Sequence, residues 1–396
     1  MQKIIITQKR IISKINVILL LTVSFFILFG FPNPSFSQAF IQDSTGIDIY
    51  GDFRFRFEQD WNSETSTGNE RDDRARARVR GRIGIKIRPN KAFEFEARLR
   101  SGNKNSQQSP HVTIADFSNN STGKKDVIFD KYNFKLNRNN FWLWGGRNEL
   151  PIWKQNELLW DDDATIMGGA LGFRNFFLGK NGNLSFNTGY ALLPDGMIED
   201  SGEIEFAQFV YSRNVNDATL FAAAGGLLAM QGEDNAVTNL LSGNDSRDYV
   251  IWIGNLQLNT KKSAIPLSLG FDFFYNSKSY SDSDLVGTPT GTDNDDTEGY
   301  VFQIRLGNLK KKGNWLIGYS FADIEALAVN ASYAQDDWMR WGSTTQTRAS
   351  DFKGHEIRVG TVLPLKWKML LRLYSVESKN NPEDGNRLRI DFNRKF

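Results

Sequence analysis

Two groups of residues in this sequence have the types and spacing to do chemistry. The first is cationic. Arg74, Arg76, Arg78, Arg80 and Arg82, then Lys86 and Arg88, occupy every second position of RARARVRGRIGIKIR, with Gly84 the one gap. Fixed guanidinium charges in a row attract anions and repel cations, and they keep their charge at any physiological pH. Arg54 and Arg56 upstream and Arg98 and Arg100 downstream repeat the spacing. The second group is acidic: Glu157, Asp161, Asp162 and Asp163 in PIWKQNELLWDDDAT. Acids set against such a cationic wall would make a polar constriction.

Covalent or metal chemistry has little to stand on. The two histidines, His111 and His355, have no partner motif. No nucleophile elbow, phosphate loop, zinc motif or dinucleotide fingerprint occurs. Asp161-Asp162-Asp163 and Asp293-Asn294-Asp295-Asp296 lack EF-hand spacing and read as solvated loop acids. The chain has no cysteine, which removes disulfides, thiolate metal sites and cysteine nucleophiles. The expectation is no enzyme, no cofactor and no metal.

The elements that carry the cations must be strands. With period 2, the cations fall on one face and Ala75, Ala77, Val79, Gly81, Ile83, Ile85 and Ile87 on the other. On a helix the same cations would circle the whole circumference. A soluble core cannot take the cationic face, because burying unpaired charge is too costly. A transmembrane barrel can, with lipid outside and water inside.

Similar segments recur along the chain. In IDIYGDFRFRFE, Ile47, Ile49, Phe53, Phe55 and Phe57 alternate with Asp48, Asp52, Arg54, Arg56 and Glu58. In FEFEARLR, Phe93, Phe95, Ala97 and Leu99 alternate with Glu94, Glu96, Arg98 and Arg100, so Glu94 and Glu96 partly neutralise the cationic wall. The pattern predicts an all-β, antiparallel, up-and-down transmembrane barrel of about sixteen strands, within two either way. Connections alternate in length: long near 59–73, 103–127, 150–165, 194–202, 230–247, 277–297, 323–351 and 379–386, and short between. The loop at 150–165 either folds into the barrel or closes its mouth. Trp142, Trp144, Trp252, Trp315 and Trp367 are candidates for interfacial girdles, with ordinary strand packing as the alternative.

The first 37 residues read as a secretory signal peptide: a basic start (Lys3, Lys9, Arg10, Lys14), an apolar run to Phe31, and Ser35-Phe36-Ser37 as the cleavage site. The barrel then occupies 38–396. Without the leader, 44 cations face 46 acids, a net charge of −2. No general affinity for nucleic acid is therefore expected. Gly (34) and aromatic residues (30 Phe, 11 Tyr, 10 Trp) suit a barrel. The final segment RLRIDFNRKF alternates Leu388, Ile390 and Phe392 and ends on Phe396. A terminal aromatic on such a strand resembles the signal read by the barrel-assembly machinery.

The segment from Arg71 to Gly172 resembles the putative porin family of Gram-negative bacteria. The carrying motifs are RDDRARARVRGRIGIKIR, the strand end LRSGN, and GGRNELPIWKQNELLWDDDATIMGGALGF. Within the last, Leu159, Trp160, Asp161, Asp163 and Gly168-Gly169 match the family's acidic stretch and Gly-rich strand. The alginate-export type of barrel shares the GDFRFRFE-like opening. The resemblance implies an outer-membrane pore and supplies no substrate. The expected function is passive diffusion of small hydrophilic solutes through a lumen lined by the nine arginines (54, 56, 74, 76, 78, 80, 82, 98 and 100), leaning towards anions. Export of an anionic polysaccharide is the alternative. Expected partners are outer-membrane lipid, the solutes and the assembly machinery; a homotrimer is compatible with the fold.

Overall fold

The alternation seen in the sequence is realised as a closed wall. The computed structural model describes residues 46–396 apart from 119–121, 124, 179–180, 235–237, 262–264 and 343–345. The proposed signal peptide lies outside the described residues. Sixteen antiparallel strands form the wall: β1 Gly46–Trp61, β2 Arg74–Arg88, β3 Phe93–Gly102, β4 Asp126–Arg138, β5 Phe141–Glu149, β6 Thr165–Leu178, β7 Gly182–Asp195, β8 Glu199–Asn216, β9 Thr219–Gln231, β10 Tyr249–Thr260, β11 Leu267–Asn276, β12 Glu298–Gly307, β13 Trp315–Ile324, β14 Phe352–Val362, β15 Lys368–Ser378 and β16 Asp384–Lys395. Each pairs with its neighbour in sequence, and β16 closes on β1. A seventeenth segment, Val112–Asp116, is a short strand beside the upper part of β2, beyond the end of β3. Closure leaves no free edge, so the backbone is paired wherever lipid excludes water.

The seam is finished by the last residue. The Gly51 and Phe396 backbones exchange two hydrogen bonds of 3.0 Å. A Cβ on Gly51 would stand 2.5 Å from the Phe396 ring. Gly84, the gap in the cationic row, has a similar reason. It pairs with Tyr50, whose ring covers it, and a Cβ there would lie 2.5 Å from that ring. The Tyr50 hydroxyl donates to Glu96. A cross-strand aromatic thus covers the missing side chain.

The apolar faces point outward. Ile47, Ile49, Phe53, Ile83, Ile85, Ile87, Phe95, Phe129 and Phe134 are all exposed. On an outer-membrane barrel that surface meets lipid. Trp252 and Trp315 are also exposed, as girdle residues should be. Trp142 and Trp144 are buried instead, at 4% and 3%, packed with the residues that fill the lumen. Their strand turns this pair to the inside.

The loops correct the sequence reading in two places. The stretches 194–202 and 379–386, expected to be long loops, are short turns at 196–198 and 379–383. Polar residues such as Glu199, Asp200 and Glu203 continue strand β8, which runs for 18 residues. A spanning strand needs only about 9–11 residues, so the rest stands in water, where polar residues suit a strand.

Candidate functional site

Inside the barrel the cationic row of β2 meets carboxylates on every side. Cross-strand register alone supplies the first layer. Asp52 of β1 lies opposite Arg82, Glu58 opposite Arg76, and Asp60 opposite Arg74. Arg80 and Arg82 both bind Asp52, each at 2.7 Å. Arg74 binds Asp60 at 3.0 Å, and Glu58 accepts from Arg76 and faces Arg78 at 3.6 Å. On β3, Arg98 is held by Asp130 at 2.7 Å. Arg56, fully buried, binds Asp391 at 2.6 Å and Asp337 at 3.1 Å. Pairing of this kind lets a barrel carry many charges without unpaired burial.

The long connection 150–164 turns inward and crosses the lumen. Its backbone and amides bind the far walls. Pro151 accepts from Asn187 of β7 at 2.9 Å, and the Trp153 amide donates to Gln208 of β8 at 2.6 Å. Gln155 donates to the Leu256 carbonyl of β10 at 2.9 Å and to Asp272 of β11 at 2.8 Å. Arg305 of β12 donates to the Gln155 carbonyl at 2.9 Å. Leu158, Leu159 and Trp160 anchor the loop in an apolar cluster with Ile166 and Tyr333. So anchored, it brings Asp163 to the wall: Arg82 stands 2.7 Å from Asp163 and Arg80 3.7 Å from it. Arg100 fixes the loop's end, donating to the Asp163 carbonyl at 3.1 Å and to the Ser106 carbonyl at 2.6 Å.

A second inward segment, 325–351, was not expected from the sequence. Leu327, Ala328, Val329, Ser332 and Ala334 within it are fully buried. Tyr333 stacks on Trp160 with ring centres 5.0 Å apart, and its carbonyl accepts the Asp161 amide at 2.7 Å. Gln108 clasps the segment from the side. Its amide reaches the carbonyls of Ala331, Ala334 and Thr347 at 2.9–3.0 Å. The segment also delivers Asp337 to Arg56, to Arg372 at 2.8 Å and to Arg389. The signal was present in the sequence: IEALAVNASYAQDDWMRW is too apolar for a solvated loop. Arg387, Arg389 and Asp391 were equally visible, alternating with the apolar residues of the last strand.

Several cavities remain among the described residues, and two of them touch the second inward segment and could hold a small solute. The outer one, about 300 Å³, is bordered by Arg247, Arg348, Glu383 and several hydroxyl and amide side chains. The inner one, about 170 Å³, lies between the wall and both inward loops. Arg54, Arg80, Arg82, Arg372 and Lys395 border it from the wall, Glu157, Asp161, Asp162 and Asp163 from the first loop, and Asp336 and Asp337 from the second, with His111 beside them. Of the nine arginines expected to line a pore, Arg54, Arg80 and Arg82 border this cavity. Arg56 and Arg100 are sealed at 0% and 1% exposure; the former is spent on ion pairs and the latter on loop carbonyls. Arg74, Arg76, Arg78 and Arg98 are committed to Asp60, Glu58 and Asp130.

The loop acids divide by environment. Burial pushes Asp163 up, but Arg82, Arg80 and Arg100 outweigh it and hold its carboxyl at about 2. Burial, reinforced by Asp162, raises Glu157 to about 7. Asp161 rises through burial and its neighbours Glu157 and Asp163. Asp336 rises through burial and Asp337. Burial and the surrounding Arg56, Arg78 and Arg54 keep His111 neutral. Asp163 therefore holds a permanent charge, while Glu157, Asp161 and Asp336 hold conditional ones.

Residues 31–227 match the model of a family described as "Putative porin". Among solved structures, the chain is similar to OprB of Pseudomonas putida (TM-score 0.56, 11% identity, covering 89% of this chain and 94% of that one). It is also similar to OmpF of Salmonella typhi in complex with daunomycin (TM-score 0.50, 12% identity, covering 89% and 98%). At these identities the likeness concerns the fold. No curated protein matches the sequence.

Proposed function

The chain belongs to the putative porin family, an outer-membrane diffusion channel rather than an enzyme, and on that premise we propose that its inner cavity is the constriction and that it leans towards anions. One observation carries this reading. The inward loop spends Asp163 on Arg80 and Arg82, whereas Arg54 and Lys395 border the same cavity with no carboxylate within salt-bridge distance among the described residues. The acids facing those two cations are the ones that burial draws towards the neutral form. A small anion then meets uncompensated positive charge, and a small cation does not.

Passage is geometric and electrostatic. Lumen width, the inward loops and wall charge decide what crosses, and no bond is made or broken. The alternative, export of an anionic polysaccharide, is disfavoured by the two inward segments, which narrow the lumen by binding its walls. Arg56, Arg74, Arg76, Arg78, Arg98 and Arg100 then serve to hold the loops and wall in place around Arg54, Arg80 and Arg82. The first 37 residues fit a leader removed on secretion, and sequencing the N-terminus of the mature protein would test this.

Reconstituted protein in a planar bilayer under a KCl gradient tests the reading. The expected reversal potential has the sign of chloride preference, and Arg54→Ser reduces it. A cation-signed potential in wild type, or one that Arg54→Ser and Arg80→Ser both leave unchanged, would overturn it.

A further inference from the structure

The inner cavity holds more than an excess of one sign. Its cations come from the wall and its acids from the loops that cross the lumen, so the two signs approach from different elements. On the wall side, Arg54 donates to Asn393 at 2.5 Å and stands 3.5 Å from the His111 ring, with no carboxylate partner within ion-pair distance among the described residues. On the loop side, Asp161 is 3% exposed. One of its oxygens accepts the Asp163 amide at 2.6 Å, and no cation pairs with it among the described residues. Glu157 and Asp336 likewise lack an ion-pair partner there. By contrast, Arg82 at the cavity and Arg56, Arg98 and Arg389 elsewhere in the lumen are each matched to carboxylates. Unmatched charges of both signs thus meet across this one cavity, with Arg54 and Lys395 on the wall side and Asp161, Glu157 and Asp336 on the loop side.

We infer that the cavity recognises a small amino-carboxylate zwitterion, its carboxylate on Arg54 and Lys395 and its ammonium on Asp161 and Glu157. This rests on the diffusion-channel reading and names the solute class it serves. A desolvated charge needs an opposite partner close by. A lone anion satisfies Arg54 but leaves the loop acids without a cation; a lone cation would find the acids but also face the positive wall. A zwitterion supplies both partners and adds no net charge. A cavity of about 170 Å³ restricts the solute to a small one. The ammonium competes with the proton for Asp161 and Glu157, which burial otherwise draws towards their neutral forms.

Liposome swelling with two solutes of similar size tests this: β-alanine, a zwitterion, and propionamide, which is neutral. Wild type should admit β-alanine about threefold faster, the scale of one partly exposed ion pair. Arg54→Gln and Asp161→Asn should each bring the ratio towards one. Lys278→Gln, which removes a rim ion pair with Asp248, should leave the ratio as it is. A wild-type ratio of one or less, or a ratio that survives both cavity substitutions, overturns the inference. If neither solute enters, the diffusion reading fails and this one with it; if both enter equally, only this one fails. Should a variant not insert, block of the wild-type KCl current decides: block by β-alanine but not by propionamide supports the site, and no block by β-alanine refutes it.

Discussion

Arg82 of the wall and Asp163 of the inward loop stand 2.7 Å apart, and the pair joins two elements separated by 81 residues of sequence. It is the point at which the constriction loop is fastened to the cationic strand.

Breaking that fastening should act on selectivity and loop order together. Asp163→Asn removes a permanent negative charge beside Arg80 and Arg82, so the reversal potential in a KCl gradient should move further towards chloride. The expected change is ~1 kcal/mol in relative barrier, about fivefold in permeability ratio. Arg82→Ser should move it the other way. A shift of the same sign in both variants would contradict the assignment.

Selectivity should also depend on pH through Glu157, whose carboxyl sits at about 7. As pH falls from 8.5 to 5 the carboxylate takes up a proton and the cavity loses a negative charge, so chloride preference should rise. Asp161 moves in the same direction, and Asp163, held at about 2, does not titrate in this window. The stability consequence has the same origin. A raised carboxyl favours the folded loop at low pH, and that contribution is lost as pH rises through about 7. Asp163 contributes stability above its ordinary range that is lost only as pH falls towards 2. In Glu157→Gln the pH response of the reversal potential should shrink; an unchanged titration curve would exclude Glu157 as its source.

Gln108 holds the second inward segment by three carbonyls. Gln108→Ala leaves those carbonyls without donors in a buried place, at a cost of about 1–3 kcal/mol. Single-channel conductance should increase, or flicker between two levels, as segment 325–351 loosens. Conductance identical in size and noise to wild type would show that the clasp does not restrain the segment.

Arg56 lies between Asp391 and Asp337, all three nearly sealed from solvent. Arg56→Ala strands two buried carboxylates and should destabilise the barrel by about 3–5 kcal/mol. Urea unfolding in detergent, followed by the gel mobility of unheated samples, gives the measurement. A midpoint equal to wild type would mean that Asp337 finds sufficient partners in Arg372 and Arg389.

The wall was legible in the sequence. Period-2 alternation assigned the inner and outer faces of β1, β2 and β3, and the Gly84 gap was visible before Tyr50 explained it. Alternation is a local property, set by the strand itself, and lipid on one side enforces it. The interior was decided only by the tertiary structure. Residues 150–164 and 325–351 have no period to read, and where they lie depends on contacts between segments far apart in the chain: Gln155 on β10 and β11, Trp160 on Tyr333, Asp337 on Arg389. The alternation placed the nine arginines on the inner face but could not show their partners. Pairing with Asp52, Glu58, Asp60 and Asp130 follows from strand register, and pairing with Asp163 and Asp337 from loop placement. The cationic face is therefore a largely neutralised lattice, with Arg54 left without a carboxylate beside the inner cavity, because low-dielectric burial tolerates a guanidinium only where a carboxylate or a carbonyl oxygen meets it.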